Sequence, residues 1–184
     1  MARTPSNMLA LGTVAPNFNL LDTTTDTFIA LDSCKGEKGT VIAFICNHCP
    51  FVIHVNPELV KIANDYKSKG FNFVAISSND VINYPQDAPN LMAKVAIENK
   101  YSFPYLYDES QEIAKAYDAA CTPDFYLFNS DLKLVYRGQL DDSRPGNGIP
   151  LNGNDLRNAL DALYKGELIN PEQKPSIGCN IKWK

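Results

Sequence analysis

The chain has 184 residues, 45% of them hydrophobic and 21% charged, with a formal net charge of -4 and a pI near 5.1. That is one domain's worth of polypeptide, long enough to bury a core without metal or disulfide staples. The acidic balance leaves no basic footprint for nucleic acid or an anionic membrane surface, and no run approaches the roughly 18 apolar residues of a membrane span.

Residues 1–11 hold one positive charge, Arg3, and apolar runs too short for a secretory signal. The sequence therefore predicts a cytoplasmic protein, and in that reducing compartment its five cysteines point to catalysis or metal binding rather than a disulfide scaffold. No repeat, low-complexity block or Gly/Ser linker divides the chain, which predicts a single domain over 1–184 with a C-terminal tail from about 166.

Taken in order, Cys34 sits in the polar loop 32–39, and the β-branched and aromatic runs at 40–45, 71–76, 124–128 and 132–137 predict strands. Helical spacing appears at Leu59, Ile62, Ala63 and Tyr66, at Leu91, Val95 and Ala96, at Ile113, Ala114 and Tyr117, and at Leu156, Leu160 and Leu163. Pro57 predicts a kink or break in the first of these helices. Asn154 is the expected cap of the last, with Asp155 in its first turn. Asn129-Ser130-Asp131 reads as a hairpin turn, so the sheet ends in an antiparallel pair. Alternating strands and helices before it predict an α/β fold, a central mixed sheet flanked by helices.

The stretch Cys46-Asn47-His48-Cys49-Pro50 carries the chemistry. A Cys-x-x-Cys pair is half a zinc site, a structural disulfide or a redox dithiol. Zinc needs a second ligand pair, and Cys34, Cys121 and Cys179 are scattered singly, so no metal is expected. Following a strand and preceding a helix, Cys46 is expected at a helix N-terminus, where the dipole and a protonated His48 favour a thiolate.

Three segments resemble the thioredoxin-like superfamily, in its peroxiredoxin-like branch of alkyl-hydroperoxide-reductase, thiol-specific-antioxidant and redoxin proteins. They are residues 12–22, the Cys46–Pro50 motif, and Thr122-Pro123-Asp124-Phe125. A Gly-Cys-Asn-Ile-Lys-Trp tail, 178–183, is similar to that of small thioredoxin-like proteins sharing the motif. The resemblance implies a thioredoxin-like fold with an N-terminal extension and an insertion before the strand carrying a cis-proline, Thr122-Pro123. It further implies Cys46 as attacking and Cys49 as resolving thiol; Asn47 and His48, by charge and position inside the motif, are the expected tuners of the thiolate, and no cofactor beyond the dithiol is expected. The Pro-x-x-x-Thr-x-x-Cys pattern of a strict peroxiredoxin is missing before Cys46, as is the tryptophan that commonly precedes the motif in thioredoxins.

The expected function is thiol-disulfide exchange through a Cys46–Cys49 disulfide, with a protein or small-molecule disulfide and a thiol reductant as partners. A thiol-dependent peroxidase with antioxidant activity and a non-enzymatic binding module are the alternatives. The charge around the motif predicts a pair more oxidising than thioredoxin's ~-270 mV. Asp80, expected at a strand's C-terminal end, is a candidate proton acceptor or a turn residue. Cys121 is a candidate third thiol or a packed side chain, and Cys179 either resolves the pair or anchors the tail. His54 reads as a satisfied helix residue, and 141–148 as a surface loop that fits no calcium site.

Overall fold

The computed structural model describes residues 3–184. Its elements in chain order are β1 (Thr4–Pro5), β2 (Asn19–Asp22), β3 (Thr27–Ala30), α1 (Leu31–Cys34), β4 (Gly39–Phe44), α2 (Pro50–Lys67) and β5 (Phe71–Ser77). After a short 3-10 turn at Pro85–Asp87 come α3 (Pro89–Glu98), β6 (Tyr105–Tyr107), α4 (Glu112–Ala116), β7 (Cys121–Thr122), β8 (Asp124–Asn129), β9 (Leu134–Gly138), α5 (Asn154–Lys165) and β10 (Ile177–Asn180).

Among the described residues, seven strands form one mixed sheet in the order β3-β2-β6-β5-β4-β8-β9. β4, β5 and β6 run parallel, while β8 returns antiparallel to β4 and pairs with β9 as a hairpin. Every residue of β4 is buried. Val41, Ala43 and Ile45 pack on one side with Leu59 and Ile62 of α2 and Leu156 and Leu160 of α5. Ile42 and Phe44 pack on the other with Ala114, Tyr126 and Phe128. A strand covered on both faces needs a continuous apolar run, as 41–45 supplies, each fully buried side chain contributing about 1.5–3 kcal/mol.

Several expectations are corrected. α2 runs through Pro57 as one helix, so of the kink or break expected there the break does not occur. Its packed face holds it, with Asn56 accepting a hydrogen bond from the Tyr101 hydroxyl at 2.7 Å. Leu132 has a positive φ of 57° and belongs to the turn, so β9 starts two residues late. α5 is capped not by the Asn154 side chain but by its surroundings. The buried Asp141 carboxylate accepts from the Asn152 and Gly153 amides at 2.7 and 2.6 Å, and Asn152 accepts from Asn154 N. Cys34 closes α1 instead of lying in a loop, and burial pushes its thiol up to about 11.

The tail is a structural element. β10 pairs antiparallel with β1 on one side and with β7 on the other, so that Cys179 faces Thr122 and Asn180 faces Cys121. Gly178 is required there, since a Cβ on it would stand 1.9 Å from the Thr122 carbonyl oxygen. Beyond β10, Ile181 is buried in the second core.

Asp124 opens β8 fully buried, its carboxyl accepting from the Ser6 hydroxyl at 3.0 Å and the Tyr126 hydroxyl at 2.9 Å. Burial outweighs both donors and pushes its pKa up to about 7. With an unfolded value near ~3.9, the stability tied to its proton is present below about pH 4 and is lost as pH rises through about 7. Asp124→Asn stays neutral. Urea titrations at a series of pH values are expected to show the variant gaining on the parent by on the order of a few kcal/mol between pH 4 and 7, then no further. A gap independent of pH would contradict the assignment.

Candidate redox site at the end of β4

β4 ends at Phe44, the Ile45 amide still donates to the Ile76 carbonyl at 2.9 Å, and the chain then leaves the sheet through Cys46. Pro50, already in helical φ and lacking an N–H to satisfy, starts α2. Cys49 is the residue at the cap, so the helix N-terminus falls at Cys49, three residues later than Cys46.

Across from this loop, the bond between Thr122 and Pro123 is cis. Thr122 meets both cysteines: its Oγ1 is 3.4 Å from Cys46 Sγ, and its carbonyl accepts from the Cys49 thiol at 3.2 Å. A third sulfur, that of Cys179, lies 2.9 Å from Cys49 Sγ. All three side chains are buried.

The sulfurs ionise unequally. Cys49 is lowered to about 5 because the Cys46 thiol donates to it, as do the Cys179 thiol and the Val52 amide when it is charged, together outweighing burial. Its Thr122 carbonyl contact belongs to the thiol form. Cys46 is raised, by holding its proton toward Cys49, by burial and by the negative charge of Asp87, against a lowering hydrogen bond from Thr122. The two sulfurs are therefore coupled, Cys46 pushed up and Cys49 pushed down, and a charge on the pair is shared between them.

Asn47 and His48 serve a carboxylate that sequence reasoning missed. Asp87, fully buried in the 3-10 turn, accepts from the Asn47 amide at 2.8 Å, from the Asn79 side chain at 2.8 Å and from His48 Nδ1 at 2.7 Å. The His48 ring stacks on Tyr84 at 5.7 Å, and the Asn47 side chain bridges the Gln86 carbonyl and the Tyr105 hydroxyl. The one sequence signal is an acid between Pro85 and Pro89, just ahead of the helical spacing at Leu91, Val95 and Ala96. Donor atoms of Cys46, His48 and Asp87 lie within 4.8 Å of one another. Two ligands on one tetrahedral zinc would stand about 3.3 Å apart. The 2.7 Å between His48 and Asp87 is hydrogen-bond spacing.

The remaining candidates separate. Asp80 accepts from the Ile82 amide and the Asn83 side chain, which lower its pKa, and holds a turn; the carboxylate acting on Cys46 is Asp87. Cys121 donates to the Pro123 carbonyl at 3.7 Å, and burial drives its thiol far up. His54 is engaged with the Ser143 hydroxyl at 2.8 Å.

A redoxin family model matches residues 10–159. No curated protein is significantly similar in sequence. Among solved structures, an uncharacterised conserved protein from Geobacillus kaustophilus is similar with a TM-score of 0.98 at 61% identity, over 100% of this chain and 97% of that one. A hypothetical protein from Sinorhizobium meliloti gives 0.96 at 46%, over 98% of each chain. The thioredoxin domain of a thiol-disulfide oxidoreductase from Bacteroides vulgatus gives 0.63 at 22%, over 83% of this chain and 99% of that one, and shows that the fold is thioredoxin-like.

Removing the charge that opposes Cys46 ionisation should make that thiol more acidic. Asp87→Asn is expected to raise Cys46 alkylation at pH 7 by about threefold and to move its half-point to lower pH, read by mass spectrometry of labelled peptides. An unmoved half-point would show that Asp87 does not act on the sulfur.

Proposed function

We propose that this chain, which belongs to the redoxin family, is a thiol-disulfide oxidoreductase cycling Cys46 and Cys49 between dithiol and disulfide. One observation carries the reading: Thr122, beside its cis bond to Pro123, meets both sulfurs of the pair, its hydroxyl 3.4 Å from Cys46 Sγ and its carbonyl 3.2 Å from Cys49 Sγ at the start of α2. Cys46 borders the half-buried Asn47 and His48, whereas Cys49 is fully buried against Thr122 and Cys179. Cys46 is therefore the sulfur that meets substrate.

The Cys49 thiolate takes the Cys46 proton as Cys46 attacks a substrate disulfide; one substrate sulfur leaves as thiolate and a mixed disulfide forms on Cys46. The Thr122 hydroxyl donates to the Cys46 sulfur as its charge develops. The departing thiolate accepts the proton now on Cys49. Ionised again, Cys49 attacks the Cys46 sulfur, releasing the second substrate thiolate and leaving the Cys46–Cys49 disulfide. A thiol reductant returns the dithiol by the reverse exchange. The substrate class is a protein or small molecule bearing a disulfide, and the setting is the cytoplasm, where thiol pools hold such pairs reduced. No helix among the described residues is long and apolar enough to cross a membrane.

Cys46→Ser and Cys49→Ser are each expected to abolish insulin reduction by dithiothreitol catalysed by the protein, with the parent's midpoint above about -270 mV because the charged dithiol is stabilised. Faster turnover of hydrogen peroxide than of disulfide would overturn the reading.

The pH profile tests the base. Stopped-flow oxidation of the dithiol should be level from pH 8 down and fall as pH drops through about 5, where Cys49 takes a proton. A fall beginning near pH 8 would mean that Cys49 holds no charge at rest.

A further inference from the structure

Cys179 stands where an incidental cysteine would not. Its sulfur is 2.9 Å from Cys49 Sγ although the two residues are 130 apart in sequence, and three independent features hold it there. β10 pairs with β7 so that Cys179 is opposite Thr122, whose hydroxyl and carbonyl meet Cys46 and Cys49. Gly178 lets the backbone of β10 close on the Thr122 carbonyl where any side chain would collide. On either side the tail is fastened, by the Ser176 hydroxyl donating to the Pro123 carbonyl at 2.5 Å and by the buried Ile181. Cys49 is thus the middle of three sulfurs, in contact with Cys46 on one side and Cys179 on the other.

We propose that Cys179 is a third redox thiol, which attacks the Cys49 sulfur of the Cys46–Cys49 disulfide, forms a Cys49–Cys179 disulfide and sets Cys46 free as a thiolate. The proposal rests on the dithiol cycle above. It is balanced without any outside oxidant: one S–S bond breaks, one forms, the electron pair of the broken bond stays on Cys46, and the proton lost by Cys179 is available to it. The Thr122 hydroxyl, 3.4 Å from Cys46 Sγ, stands ready to donate to the leaving thiolate.

The exchange is timed by the redox state itself. In the dithiol, Cys179 is pushed up to about 12 by burial, by giving its proton to Cys49 and by the Cys49 charge, with Lys182 opposing. Once Cys46 and Cys49 are joined, Cys49 carries no charge and accepts no proton, so two of the three raising causes vanish and burial alone remains. Oxidation of the pair thus eases the hold on the Cys179 proton, while burial, the largest cause, stays. Cys46 recovers its thiol while the oxidising equivalents sit between the start of α2 and the C-terminal strand.

The test is to treat the full chain with one equivalent of diamide, quench with an alkylating agent at low pH and map disulfides and labelled cysteines by mass spectrometry. The parent is expected to yield both Cys46–Cys49 and Cys49–Cys179, the latter with Cys46 labelled. Cys46→Ser should form Cys49–Cys179 in full, and Cys179→Ser only Cys46–Cys49, with Cys46 labelling after oxidation down about tenfold or more. Gly178→Ala, which forces β10 off Thr122, should lose Cys49–Cys179, a check that does not alter any sulfur. If the parent forms Cys46–Cys49 alone, the relay is overturned and the dithiol cycle stands, whatever Cys46→Ser forms. If neither the parent nor Cys179→Ser forms a Cys46–Cys49 disulfide, both fall together.

Discussion

The close approach of Gly178 to Thr122 is the constraint on which the site depends. A single hydrogen at that position lets one backbone lie against another, and the cis-proline loop is thereby clamped between the redox loop and the C-terminal strand. Thr122 then presents its hydroxyl to one cysteine and its carbonyl to the next, with no latitude for either to drift. Buried polar groups this near to reactive sulfurs are tolerable because each has a defined partner.

A second principle runs through the five cysteines: environment, not residue type, assigns their chemistry. Cys34 and Cys121 are pushed up by burial and by the nearby carboxylates Asp22 and Asp124, and remain thiols. Cys46, Cys49 and Cys179 share donors and charge among themselves, so only one of them ionises readily and the other two hold the protons that make this possible. Asp87 adds a fixed negative charge nearby, opposing a second ionisation at Cys46 while ordering the Asn47-His48 turn.

Much of this was legible in the sequence where the cause is local. The apolar run 41–45 announces a strand buried on both faces, and the Cys-x-x-Cys before Pro50 announces a reactive turn at a helix start. The mixed sheet and its terminal hairpin follow from alternating elements and the turn at Asn129. What the sequence hid is long-range. Asp87 lies 39 residues from its histidine in a segment without periodicity, and no local pattern says that it is buried. No strand is expected in the tail, yet four of its residues form one between β1 and β7.

The interlocking of β10 with β1 and β7 has a consequence for the order in which the protein is made. Synthesis runs from residue 1 onward, so the loop with Cys46 and Cys49 leaves the ribosome more than a hundred residues before Gly178 and Cys179. Until those residues emerge, the cis-proline loop lacks the strand that covers it and Cys49 lacks one of its donors. The nascent chain therefore carries cysteines whose acidity is not yet set. Only when Ile181 seats in the second core are the surroundings of the three sulfurs complete, so they take up their final environment when nearly all of the fold exists.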